Sequence, residues 1–418
     1  MWKITNAISN YLEWSIVVYI FMLKLLQINI TANWGSHGRI ADEIGQLAMS
    51  QGWESHIAYG RWANPSQSQL YHIGSMWDER WHGLQSRLFD NHGLASQKAT
   101  QKLIEQIERI SPDIIHLHNI HGYYLNFPLL FNYLSKSDIP VVWTLHDCWP
   151  LTGHCSHFMF TGCEKWKTGC YDCCEKGEYP ASLWMDNSRR NYALKKKYFN
   201  SVPNLTLVTV SDWLSGVVRE SFLKKQQQRI YNGIDISIFS PRQVRVDKVG
   251  KQILAVASKW TERKGLSDIL QIRHLLPADY SITIVGLTKE QVKALPAGII
   301  GITRTNSVDE LADYYAQSDV FINPTYEDNF PTTNLEALGC GTPVISYRTG
   351  GSPEAIDEQT GLVVDTGDVN GLAEGIRKMC YDPNQEERRK LCRQRAVSLF
   401  NKNDRYQEYL DLYNSLLK

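Results

Sequence analysis

The sequence predicts an α/β protein of two doubly wound domains joined by a short linker, and three observations carry that expectation. From Leu25 onward, short continuous apolar runs alternate with stretches of helical periodicity, the pattern of parallel sheets covered on both faces. The same alternation restarts near Ile253, after a turn-rich and then polar stretch from Tyr231 to Gly250. The chain has 418 residues, 43% of them hydrophobic, which suffices for two cores and is too much for one compact domain.

Residues 1–21 form an extension ahead of the first strand. Ser15 to Leu26 is apolar, but Lys24 interrupts it and it falls short of the ~20 residues that a membrane span needs. No small-residue cleavage pattern follows, so the chain reads as cytoplasmic. Tyr11, Trp14, Val18 and Phe21 can share one helical face, which makes the extension either a helix resting on the inner membrane surface or a dispensable leader to a start at Met22.

The first domain, residues 22–240, has strand patterns at Leu25–Ile30, His56–Tyr59, Ile114–Leu117, Val141–Leu145 and Leu205–Val210. Between the first two, Ile40, Ile44, Leu47 and Ala48 fall on one helical face, and Gly52 follows as a stop. The second domain, residues 248–398, has strands at Ile253–Ala257, Ile282–Val285, Val320–Ile322, Val344–Ser346 and Leu362–Val364, with helices at Val308–Gln317 and Leu372–Met379. Residues 400–418 close the chain as an amphipathic helix, with Tyr406, Tyr409, Leu410, Tyr413 and Leu416 at helical spacing.

Lys plus Arg and Asp plus Glu balance at 44 each, which argues against nucleic acid as a partner and makes any anion site local. The basic runs at Lys195–Lys197, Lys224–Lys225 and Arg388–Lys390 read as solvated helix faces, with peripheral membrane contact as the alternative. Six of the nine cysteines fall between Cys148 and Cys174. Residues 148–180 therefore read as an insertion in the first domain, on the acceptor side of the cleft, that needs a staple. A structural zinc held by Cys155, Cys163, Cys170 and Cys173, reduced thiols, or disulfides would each serve.

Three stretches carry chemistry. Gly35 and Gly38, in Asn33-Trp-Gly-Ser-His-Gly-Arg39, sit between the first strand and first helix, where backbone N–H groups can meet a phosphate or carboxylate at a helix N-terminus. Lys259, Arg263 and Lys264 occupy the equivalent loop of the second domain and can neutralise a diphosphate without a catalytic metal. The third stretch runs from Pro324 to Val344. It holds Glu327, Asp328, Asn329, Phe330 and Asn334 around a helix start, and Glu336 within that helix can accept hydrogen bonds from vicinal hydroxyls such as those of a ribose.

Asp328-x7-Glu336 followed by Ala337-x3-Gly341-Thr-Pro-Val-Ile345 resembles the signature of the GT4 glycosyltransferases, whose fold is the GT-B arrangement of two facing Rossmann-like domains with a C-terminal crossover helix. The family has Glu where Asp328 stands, with Glu327 one residue earlier, so either can take the first acidic role. The resemblance implies a retaining transferase that moves a hexose-type sugar from a nucleotide-diphospho-sugar to a glycan or lipid-linked glycan acceptor. Lys259 and Lys264 then match the cation pair at the donor diphosphate. Asp113-x2-His116-x-His118 matches a motif whose last His lies beside the donor sugar, with His146 as runner-up. The start Gly35-Ser-x-Gly-Arg-Ile40 and the Gly153-His-Cys155 segment resemble enzymes of exopolysaccharide, capsule and O-antigen assembly. An epimerase- or phosphorylase-like enzyme of the same fold and a non-catalytic sugar-binding subunit are the alternatives.

Overall fold

The computed structural model describes residues 22–243 and 250–418; the N-terminal extension and the polar end of the linker lie outside the described residues. Two parallel sheets organise the chain. The first is built from β1 (Lys24–Ala32), α1 (Gly35–Ser50), β2 (Glu54–Ala63), β3 (Gln69–His72), α2 (Met76–Phe89), α3 (Gln97–Ile110), β4 (Ile114–Leu117), α4 (Phe127–Leu134), β5 (Val141–Leu145), α5 (Ser188–Phe199), β6 (Leu205–Thr209), α6 (Asp212–Glu220) and β7 (Gln226–Arg229). Its strand order among the described residues is β3-β2-β1-β4-β5-β6-β7.

The second is built from β8 (Lys251–Val256), α7 (Leu266–Leu275), β9 (Tyr280–Val285), α8 (Lys289–Lys293), β10 (Ile299–Ile302), α9 (Val308–Gln317), β11 (Val320–Asn323), α10 (Thr332–Gly339), β12 (Val344–Tyr347), β13 (Gly361–Val364), α11 (Val369–Cys380) and α12 (Gln385–Phe400), with strand order β10-β9-β8-β11-β12-β13. A last helix, α13 (Lys402–Leu416), follows. In both sheets the first strand lies inside and the order reverses beside it, so a crevice opens at the strands' carboxyl ends. The central strands are buried along nearly their whole length, which explains their unbroken apolar runs.

The chain crosses between the domains twice, at one place. Ile234 pairs with Asn401, and its N–H donates to the Phe400 carbonyl at 2.8 Å. A Cβ on Gly233 would stand 2.5 Å from the Lys402 Cα, so only glycine lets the two crossings touch. Beyond the crossing, α13 returns to the first domain. Tyr406, Tyr409, Leu410 and Tyr413 fill an apolar cluster with Leu25, Ile40, Ile44 and Trp53. The buried Tyr413 hydroxyl lies 2.7 Å from His116 Nδ1, and the Tyr409 hydroxyl accepts from Thr144 at 3.2 Å. His116 is thereby a structural anchor, its Nε2 lying 2.7 Å from the Thr144 hydroxyl. Replacing Tyr413 with Phe strands a buried ring nitrogen, a loss of about 1–3 kcal/mol. We expect a lower urea midpoint in Tyr413→Phe with an unchanged circular dichroism spectrum; an unchanged midpoint contradicts the anchoring role.

Candidate functional site

On the first-domain side, α1 starts at Gly35, where φ is +67°, with Trp34 as an N-cap that offers no side-chain bond and no acid in the first turn. The helix therefore presents uncapped N–H groups and its positive dipole end toward the crevice. A Cβ on Gly38 would meet the Thr31 hydroxyl at 2.5 Å, so the missing side chain lets α1 close onto β1.

The histidines form two chains. His118 is 1% exposed, with Nε2 3.0 Å from Gln27 Oε1 and Nδ1 3.1 Å from His146 Nε2. Both its nitrogens are engaged, which sets it behind the crevice rather than in it. His146, half-buried, stacks on it and lies 5.9 Å from the His37 ring. Burial pushes His118 and His146 well below the usual imidazole range and His37 down to about 4, so this chain is neutral at physiological pH. In the second chain, His121 Nε2 lies 2.7 Å from Asp147 Oδ2 and its Nδ1 lies 3.1 Å from the Tyr179 hydroxyl. Burial alone would raise the Asp147 carboxyl, but the charge and hydrogen bond of His121 hold it well below the carboxylate range.

The second-domain side is ionic. Gly265, with φ +74°, would place a Cβ 2.1 Å from the Pro324 carbonyl, so glycine alone allows the cation loop to lie on the end of β11. Lys264 Nζ donates to Asp328 at 2.9 Å and to the Glu327 carbonyl at 3.2 Å. Arg263 donates to Glu327 at 3.0 Å and across the domain boundary to Glu175 at 2.6 Å, with its guanidinium 4.6 Å from the Phe160 ring centre. Lys259 is exposed. Glu336 is buried, which raises its carboxyl, while the Tyr315 hydroxyl donates to it at 2.9 Å and Arg39 from the opposite domain acts against the rise.

Two of the residues named from sequence have their side chains committed within the fold. Phe330 stacks on Tyr231 at 4.8 Å, and Asn334, fully buried, bonds Asn323 at 2.8 Å. Asn329 instead ties the domains together, donating to the His146 carbonyl at 3.1 Å and accepting from the Cys148 thiol at 3.6 Å. Arg263 was visible only as one cation among three, and its partner Glu175, 88 residues distant, carried no sequence signal.

The cysteine insertion is irregular, with two short turns at Trp149–Leu151 and Lys165–Lys167. It reaches the cation loop of the second domain through Glu175 and Phe160, and so does not stand on the acceptor side alone. A cavity of about 520 Å³ opens beyond it, lined by Phe158, Trp166, Trp213, Tyr326 and Arg348 among others and by none of the donor residues named above. Cys155, Cys163, Cys170 and Cys173 line one small space beneath the insertion, yet among the described residues no group of three or more His, Cys, Asp or Glu is placed to hold a metal ion. Of the three readings of these cysteines, free thiols are what the structure shows, with Cys155 interacting with Cys173 and Cys163 with Cys174. Packing staples the insertion instead. Lys195, expected on a solvated face, is buried, donates to the Trp149 carbonyl at 2.7 Å and lies 3.5 Å from that indole's ring centre. Burial brings its ammonium down to about 7.

The hydrogen bond from Cys155 brings the Cys173 thiol down to about 7, against burial, which acts the other way. Alkylation of Cys173 by iodoacetamide, followed by peptide mass spectrometry, should rise with a midpoint near pH 7 and shift to higher pH in Cys155→Ala. A midpoint that is the same in both proteins contradicts the pairing.

Two facing doubly wound domains, with a cation loop on one and an uncapped helix start on the other, define a GT-B protein. Residues 37–238 match the family model of Glycosyltransferase Family 4, and residues 250–382 match that of Glycosyl transferases group 1. The chain belongs to this glycosyltransferase family. It is 24% identical over 417 residues to WcaC of Escherichia coli strain K12, a glycosyl transferase named for colanic acid biosynthesis, covering 94% of this chain and all of the relative. Among solved structures, sucrose-phosphate synthase from Thermosynechococcus elongatus superposes with a TM-score of 0.70 at 17% identity, covering 94% of this chain and 99% of that one. Anabaena HepE in complex with UDP-glucose superposes with a TM-score of 0.64 at 13% identity, covering 94% and 100%. These superpositions establish the GT-B fold.

Proposed function

We propose that the protein is a retaining glycosyltransferase that moves a hexose-type sugar from a nucleotide-diphospho-sugar to a glycan or lipid-linked glycan acceptor, in the assembly of an envelope polysaccharide. The observation that carries the reading is the pairing of Lys264 with Asp328 beside the pairing of Arg263 with Glu327, at the mouth of the crevice opposite the start of α1. A donor diphosphate is a better partner for these cations than a carboxylate, since it offers more charge and more acceptor oxygens. In this reading Lys264 and the exposed Lys259 take the diphosphate, and Glu336 takes the ribose hydroxyls. Asp328, less buried than Glu327, meets the donor sugar. Glu327 is then the residue that orients Arg263. His146 is the imidazole nearer the sugar, with His118 positioning it from behind.

The neutral imidazole chain suits a hydrogen-bonding role toward sugar hydroxyls, and no side chain is assigned as a covalent nucleophile. Retention then follows from attack on the face the diphosphate leaves, with the departing phosphate oxygen taking the acceptor proton. The likeness to WcaC supports the polysaccharide setting.

A thermal-shift panel of UDP-, GDP-, ADP- and dTDP-sugars identifies the donor, because ligand binding to the native state raises its stability. With that donor, Lys264→Ala should lower kcat/KM about a hundredfold, the scale of one lost electrostatic contact to a transition state. Wild-type turnover should persist in excess EDTA. Near-normal kcat/KM in Lys264→Ala, or activity abolished by EDTA and restored by Mg²⁺, contradicts the assignment.

A further inference from the structure

The cavity beyond the cysteine insertion takes no part in the donor site, yet both domains build it. Phe158, Phe160 and Trp166 of the insertion and Trp213 of α6 supply one wall, and Tyr326, Arg348 to Gly350 and Thr366 of the second domain supply the other. At about 520 Å³ it falls within the range of roughly 300–1,000 Å³ usual for small-molecule sites.

The walls decide the kind of ligand. Phe158 stacks on Trp166 with 4.9 Å between ring centres and meets Trp213 at 6.4 Å, while Phe160 meets Tyr326 of the second domain edge-on at 5.6 Å. The charged side chains of the lining are all paired: Lys167 bridges Glu164 at 2.9 Å and Glu220 at 3.0 Å, and Arg348 pairs with Asp365 at 3.1 Å. A charged ligand would have to displace one of these partners, so the lining favours a neutral one. An acyl chain would desolvate the charges and return no hydrogen bonds. A nucleotide would bring phosphate charge and find no unpaired cation. A neutral pyranose fits both properties of the walls, with apolar C–H faces for the aromatic rings and a rim of hydroxyl groups for the paired charges and threonines.

The cavity also adjoins the donor loop. Tyr326 lines it, while Glu327 and Asp328, next along the chain, meet Arg263 and Lys264. Phe160 lines it as well, and the Arg263 guanidinium lies 4.6 Å from that ring's centre. At Gly350, where φ is +53°, a Cβ would stand 1.9 Å from the Asp328 carbonyl oxygen, so glycine alone lets the second-domain wall lie against that loop. We propose that the cysteine insertion, α6 and the loops after β12 and β13 form a subsite for a neutral sugar of the acceptor glycan, away from the unit that is glycosylated. The assignment to the acceptor rests on the transferase reading above; the sugar binding rests on the walls alone.

The test is saturation-transfer difference NMR on the full chain with the methyl α- and β-glycosides of glucose, galactose, mannose and N-acetylglucosamine, and with those of glucuronic acid as the charged comparison. At least one neutral glycoside should bind, and should stay bound with UDP, GDP, ADP or dTDP in excess. Trp213→Ala and Arg348→Ala should each weaken that binding about fivefold, the scale of one lost aromatic or polar contact. Arg348 is exposed, so its variant reads binding without a folding loss. Failure of every neutral glycoside to bind, displacement by the nucleotides, binding of the glucuronosides alone, or undiminished binding in both variants overturns the proposal. No donor sugar is present, so the subsite and the transfer reaction fail separately. In transfer assays the same variants should raise the KM for the acceptor and leave nucleoside diphosphate affinity unchanged; an unchanged KM overturns the acceptor assignment.

Discussion

The ion pairs at the carboxyl ends of β8 and β11 hold the rest of the site in place. Arg263 and Lys264 stand one residue apart, and each faces a carboxylate from the next loop of the same sheet, while Arg263 also reaches Glu175 of the other domain. Glu175 is 1% exposed and its second oxygen has no partner, so the cation beside it offsets a charge the fold would otherwise bury alone. Pairs of this kind contribute little net stability, because desolvation consumes most of the Coulombic gain. They leave a prearranged set of cations beside the crevice, the feature on which the proposed donor site rests.

The insertion between β5 and α5 depends on that arrangement and supports it. Its irregular backbone is fixed from below by packing around Trp149 and Lys195, and by the buried pair of His154 and Asp90 at 2.6 Å. From above it is fixed by Arg263. A second tie lies further along the boundary, where Glu354 of the second domain accepts from the N–H groups of Asp212 and Trp213 at 2.7 Å each, capping α6 with an anion at its positive end. The domains therefore meet through these polar ties as well as through apolar contacts such as Phe330 on Tyr231.

Much of this was legible in the sequence, for reasons the structure makes clear. The central strands announced themselves because both their faces are covered, and the closing helix did so through its tyrosines. The edge strands β3, β7 and β10 were missed because Gln-Leu-Tyr-His, Gln-Gln-Gln-Arg and Ile-Ile-Gly-Ile are short and half-exposed, and the first two are polar, so an apolar run could not form. The cation loop and Glu336 could be named as candidates because their spacing is local. The order of His118 and His146 was not legible, since a motif does not tell which of two neighbouring imidazoles is covered by the other. Lys195 looked like one of three solvated lysines, because a cation buried against an indole 46 residues away has no local pattern. The thiol pairing and the Glu175 contact were likewise matters of tertiary placement.

The central claim is that Lys264 recognises the second phosphate of the donor. Calorimetric affinities for the nucleoside diphosphate of the preferred base and for its monophosphate, in wild-type protein and Lys264→Ala, isolate that contact as a double difference. The account predicts that the diphosphate binds wild-type protein more tightly than the monophosphate, and that most of this advantage disappears in Lys264→Ala while monophosphate affinity is retained. An advantage of the same size in both proteins would contradict it.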